Sequence, residues 1–153
     1  PGAIPAITFI LFLLLVMFNS CKKEEVDYTQ IDEDIIAQYI TDNNLTATAT
    51  GTGLYYVIDS PGAGAQPNSQ STVRVAYKGY LTNGSVFDES ASAGISFSLN
   101  SVIQGWQEGI PYFKEGGSGI LLIPSALGYG SQATSGIPAN SVLIFDVTLI
   151  DVL

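Results

Sequence analysis

Histidine is missing from the 153 residues, and that absence excludes more chemistry than any residue present. Without an imidazole there is no Ser-His-Asp or Cys-His nucleophile, and the commonest metal ligand is gone. Cysteine is almost as scarce. The single copy, Cys21, cannot close an internal disulfide, so cysteine count gives no reading of the redox compartment. Only five basic residues (Lys22, Lys23, Arg74, Lys78 and Lys114) stand against fourteen acidic ones, for a formal charge of −9. Such a field repels nucleic-acid backbones and leaves uncharged or basic peptides, or small molecules, as the expected partners. The apolar run at residues 6–18 (AITFILFLLLVMF) is too short for an ordinary membrane span. A chain of this length buries one core of ordinary size, so one domain with appendages is expected.

That apolar run has the length of a signal-peptide hydrophobic region, and Asn19, Ser20 and Cys21 follow it. The arrangement resembles a bacterial lipoprotein signal over residues 1–20, in which cleavage before Cys21 leaves its thiol and new amine to be acylated. Several acyl chains anchor a protein firmly where one is marginal. No start methionine or basic segment precedes Pro1, so the leader is expected to begin upstream. Lys22, rather than an aspartate, after the cysteine resembles outer-membrane sorting, and the acidic residues beyond it resemble surface-export signals. The expected location is the bacterial cell envelope, facing periplasm or cell surface.

Residues 21–53 read as an acidic tether. Within it Ile31, Ile35, Ile36 and Ile40 can share a stripe, which predicts a short helix. The small-residue stretch TATATGTG at 46–53 reads as a linker or extended lead-in. A dimerising N-terminal domain would need much more chain, so a monomer is expected.

From Leu54 the pattern changes to short strand-like runs separated by turn signals. LYYVID (54–59) closes at Ser60-Pro61-Gly62, and TVRVAYKGYL (72–81) alternates, with Val73, Val75, Tyr77 and Leu81 on one face. Asn83-Gly84 marks a tight turn before SVFD (85–88). A helical period replaces the strand period at 102–110 (VIQGWQEGI): Ile103, Trp106 and Ile110 share a face, and Asn100 or Ser101 is placed to cap the start. After Gly116-Gly117 come a run at 118–123, a Gly/Ser/Pro-rich loop at 124–140, and a last strand at 142–153 with Leu143, Phe145, Val147 and Leu149 on one face. An antiparallel sheet with one helix packed on it, an α+β domain over 54–153, is the expectation.

Four stretches carry a family resemblance: VRVAYKGYLTNGSVFDES (73–90), FSLNSVIQGWQEGI (97–110), GILLIPSALGYG (119–130) and GIPANSVLIFDVTLI (136–150). In order and spacing they resemble the FKBP-type prolyl isomerases over about 100 residues, a match far more specific than any single motif. The resemblance implies a five-stranded antiparallel half-barrel wrapped around one short helix, with an apolar pocket between. It implies a first pocket wall of Tyr77, Phe87 and Asp88, a floor and helix start of Val102, Ile103 and Trp106, and a far side of Tyr129, Ile137 and Phe145. Trp106 and Phe145 would be core residues in any such fold, and Asp88 read alone could be a solvated turn residue. A buried Asp88 would need a partner, which the inward Tyr77 hydroxyl can supply. The place where many members carry a further pocket phenylalanine is taken by Ile95, and Glu89-Ser90-Ala91-Ser92 lacks the basic residue often found after the Phe-Asp pair.

The activity so implied needs no cofactor and no metal. Proline-containing polypeptides are the expected partners, with Tyr129 as a hydroxyl donor, Asp88 orienting or polarising the site, and the apolar residues enclosing the proline. Two other classes compete. A proline-peptide-binding chaperone module would use the same pocket without turnover. A hydrolase is disfavoured because Asp88 and Glu89 point to opposite faces of a strand, and calcium binding at Asp32-Glu33-Asp34 because successive helical carboxylates do not converge.

Overall fold

A computed structural model describes residues 25–153. The apolar run and Cys21 lie outside the described residues, so the lipoprotein reading has no structural counterpart here. The sheet is antiparallel throughout. Its strands are β1 (Thr48–Ala49), β2 (Tyr55–Ser60), β3 (Thr72–Tyr80), β4 (Val86–Glu89), β5 (Ile95–Ser98), β6 (Ser118–Ile123) and β7 (Leu143–Val152). The order is β1-β2-β6-β7-β3-β4, with β5 also on β3. β4 pairs with Lys78–Tyr80 and β5 with Thr72–Val75, so the two together make one interrupted edge strand along β3. Counting them once, and setting aside the two-residue β1, recovers the five strands expected.

Among the described residues two α-helices flank this open sheet: α1 (Tyr28–Asp42), where the tether predicts a short helix, and α2 (Gln104–Gly109), the one helix expected within the domain. Period-2 alternation decides which residues meet which helix. Along β6, Leu121 and Ile123 join the main core with Trp106, Ile110 and Phe113. Leu122, between them, turns to the other face and packs with Ile36 of α1, Val57, Val142 and Ile144. In β7 the face of Leu143, Phe145, Val147 and Leu149 lies in the main core as the alternation predicts, and Ile144 lies in the second.

Helix α1 starts where the Asp27 side chain accepts a hydrogen bond from the Thr29 amide (2.9 Å). It is longer than the isoleucine stripe suggests and buries a different line. Ile36 is fully buried, whereas Ile31 and Ile35 stay 39% and 36% exposed. The buried face instead includes Asp32, at 1% exposure, where one carboxylate oxygen accepts from both the Ser125 amide and the Ser125 hydroxyl. Further ties are Tyr55 hydroxyl to Glu33 and Tyr39 hydroxyl to Tyr80 hydroxyl (3.5 Å). Where the sequence suggests a spacer, residues 28–53 thus lie against the sheet. β1 pairs with Tyr55-Tyr56, and the Thr52 hydroxyl donates to the Glu108 carboxylate on α2 (2.7 Å).

Helix α2 sits close on β6. A β-carbon on Gly105 would fall 2.5 Å from Ile123, and one on Gly109 2.6 Å from Leu121. Glycine at these two places lets the helix backbone approach the strand, which sets the depth of the space left on its other side. The cap differs from expectation. Ile103 occupies the N-cap without a side-chain bond, because a 3-10 turn (Leu99–Ser101) intervenes and Ser101 hydroxyl donates back to the Ser98 carbonyl (2.7 Å).

Candidate functional site

The concave face of the sheet and α2 enclose a cavity of about 500 Å³. All nine residues expected at the site line it: Tyr77, Phe87, Asp88, Val102, Ile103, Trp106, Tyr129, Ile137 and Phe145. Trp106, 4% exposed, forms the floor. Tyr77 stands edge-on to it (centroids 5.1 Å apart, 89°), Phe145 likewise (5.2 Å, 83°), and Phe87 stands edge-on to Phe145 (5.5 Å, 83°). Edge-to-face pairs are the favoured aromatic geometry, so each ring fixes its neighbours and the box is shaped before any ligand arrives.

Gly79 makes room for this arrangement. A β-carbon there would lie 2.6 Å from the Phe87 ring and 2.7 Å from Phe145. Opposite Gly79 in the β3–β4 register is Asp88, whose Oδ2 accepts from the Tyr77 hydroxyl (2.8 Å). That pairing is the one expected, but Asp88 is exposed rather than buried. Burial, with the Asp88 hydrogen bond and charge and the nearby Tyr129 adding to it, pushes the Tyr77 hydroxyl up to about 12. Tyr77 therefore remains a neutral donor at any physiological pH.

The far wall comes from the loop at 124–140. Tyr129 is 43% exposed at the mouth. Thr134 and Ile137 exchange backbone hydrogen bonds (3.0 and 2.9 Å) around a tight turn in which Gly136 has φ +77°. That turn drives Ile137, 5% exposed, into the cavity. Beneath the box the indole N–H of Trp106 is buried without a partner among the described residues.

Four lining residues were not anticipated: Phe97, Ser101, Thr134 and Ser135. Phe97 corrects the assignment of Ile95. It packs on Trp106 (5.2 Å, 56°), while Ile95 is 48% exposed and outside the lining. The two share a face of β5, and the readable signal was the alternation Ile95-Phe97-Leu99, which becomes more buried toward α2. The carboxylates of Asp32, Glu33 and Asp34 go to three separate partners: Ser125, Tyr55 and Gln30.

Comparison with known proteins follows the same outline. Residues 64–150 match the family described as FKBP-type peptidyl-prolyl cis-trans isomerase. The isomerase FkpA of Buchnera aphidicola subsp. Schizaphis graminum is 48% identical over 106 residues, covering 67% of this chain and 42% of the relative. Escherichia coli FkpA is 47% identical over 105 residues, covering 67% of this chain and 39% of the relative. The chain thus spans about two fifths of the length of these relatives. Among solved structures, a Pseudomonas syringae peptidyl-prolyl cis-trans isomerase superposes with TM-score 0.72 at 28% identity, covering 84% of this chain and 98% of that one. FkpA from Escherichia coli gives 0.69 at 38% identity, covering 82% and 62%.

Proposed function

This chain belongs to the FKBP-type peptidyl-prolyl cis-trans isomerase family, and from that membership we propose that it accelerates rotation about Xaa-Pro bonds in exported polypeptides. The observation that carries the reading is the aromatic box on Trp106, which gathers all nine expected positions around one cavity.

Rotation of an Xaa-Pro bond meets a barrier of roughly 18–20 kcal/mol because twisting the amide destroys its resonance. No bond to carbon is made or broken, so neither nucleophile nor metal is required. The planar amide is charge-separated and water stabilises it. Enclosing the proline ring among Trp106, Phe87, Ile103 and Phe145 removes that water and weakens the planar form relative to the twisted one. A donor aimed at the carbonyl in its rotated position then adds binding that only the transition state receives in full. Tyr129, exposed at the mouth, supplies that hydroxyl. Tyr77 and Asp88 form the polar edge, where their hydrogen bond orients the field across the site.

The protein is placed in the bacterial cell envelope, as a monomer attached to the outer membrane through acylated Cys21 and facing periplasm or surface. The support is sequence: the run at 6–18, the Asn-Ser-Cys that ends it and the Lys22 that follows. A protease-coupled assay on a Xaa-Pro peptide tests the activity. Catalysed isomerisation of the cis fraction is expected, and binding of the peptide without a rate increase would favour the chaperone module instead.

A further inference from the structure

We propose that Asp32, on the helix preceding the family-matching residues, is a positioning residue for Tyr129 in the isomerase site. The proposal rests on the functional reading above.

Asp32 and Ser125 are 93 positions apart and almost fully buried, at 1% and 2% exposure. One carboxylate oxygen of Asp32 accepts both from the Ser125 amide (2.8 Å) and from its hydroxyl (2.6 Å). Hydrogen bonds to a charged acceptor are about twice as strong as neutral ones, and burial shields these from water. Ser125 is in turn the hub of the loop. Its carbonyl accepts from the amides of Gly128 (3.0 Å) and Gly130 (2.8 Å), the two residues that bracket Tyr129. The Gly130 carbonyl accepts from the Asn140 amide (2.7 Å), which ties the outgoing end of the loop. A single chain of bonds therefore runs from α1 through Ser125 to both neighbours of Tyr129.

The loop needs such a hold. Gly130 is left-handed at φ +57°, and Tyr129 itself is 43% exposed, with little packing to fix it. The second Asp32 oxygen is buried with no partner among the described residues. An apolar residue there would leave the buried Ser125 amide and hydroxyl without their shared acceptor. What the acid adds is direction: two converging acceptor bonds that set where Ser125, and so Tyr129, sits.

The test is a double-mutant cycle on the full chain, with Asp32→Asn and Tyr129→Phe alone and together. It is read as kcat/KM on a Xaa-Pro peptide and, in parallel, as the Kd of a proline peptide. Asp32→Asn should lower kcat/KM roughly three- to tenfold, and amide exchange at Gly128 and Gly130 should speed up. In the Tyr129→Phe background the same change should cost nothing further, because the hydroxyl it positions is gone. Equal fold losses in both backgrounds, or no loss in either, would overturn the proposal. Should Asp32→Asn fail to fold, Ser125→Ala removes one of the two bonds, and the same cycle decides. A wild type without turnover sinks the isomerase reading; the cycle on Kd then still decides whether Asp32 acts through Tyr129.

Discussion

At the scale of single residues, Asp88 lies exposed and holds one hydrogen bond, from Tyr77. Because it is not buried, neutralising it removes no desolvation cost, and the fold should barely notice. Asp88→Asn and Tyr129→Phe should each lose on the order of tenfold in kcat/KM, as one hydrogen bond contributes about 0.5–1.5 kcal/mol. Their thermal midpoints should stay within a degree or two of wild type; activity that falls only in step with stability would make both residues structural.

Tyr77 offers a pH test. Its hydroxyl is raised from 10.0 to about 12, first by burial and then by Asp88. A raised folded value means that the folded state holds the proton more tightly. The stabilisation is therefore complete below pH 10 and is lost as pH climbs from 10 through 12. Urea midpoints measured at pH 9, 10 and 11 should fall more steeply for wild type than for Tyr77→Phe. Parallel curves would remove Tyr77 from the account.

Of the nine expected residues, Tyr77, Phe87, Asp88, Trp106 and Phe145 sit in strands or in α2, where alternation or helical period fixes their facing, whereas Val102, Ile103, Tyr129 and Ile137 lie outside regular elements and were legible only through the spacing that carries the family likeness. Phe97 was misplaced by one face-mate. Pattern puts Ile95 and Phe97 on the same side of β5, and only the distance to Trp106 separates them. Thr134 and Ser135 belong to a turn, where no period exists to read.

At the scale of elements, α1 shows what composition hides. Four isoleucines suggest the stripe, yet the helix rotates so that Asp32 and Ile36 face the sheet and Ile31 and Ile35 face water. The choice is tertiary: only this rotation places Asp32 against Ser125 and Ile36 against Leu122 and Ile144. Truncating buried Ile36 to Ala should cost about 2–4 kcal/mol of unfolding free energy. Ile31→Ala and Ile35→Ala should cost well under half of that. Urea unfolding of the three variants decides it, and equal losses would mean that the helix does not dock as described. The missing side-chain cap on α2 has a similar origin. A 3-10 turn engages Ser101 before the helix begins, a detail of backbone path that hydrophobic period does not encode.

At the scale of the whole molecule, α1 and α2 clamp one open sheet, and the cavity is bounded by α2 and by a loop that α1 holds from behind. Attachment to the membrane is a separate question, carried by sequence alone. Cys21→Ser should move the protein from the membrane to the soluble fraction or stall its processing, and mass spectrometry of the wild type should show acyl chains on Cys21. An unmodified cysteine would end the lipoprotein reading.

The central claim is that this cavity turns the Xaa-Pro bond rather than merely holding it. NMR exchange spectroscopy on a Xaa-Pro peptide, with a small fraction of the full chain added, measures binding and the cis-trans rate in one sample. The account predicts exchange accelerated well above the uncatalysed rate of tens to hundreds of seconds, with the acceleration reduced about tenfold in Tyr129→Phe. A peptide whose resonances shift on binding while its cis-trans exchange rate stays at the uncatalysed value would contradict it.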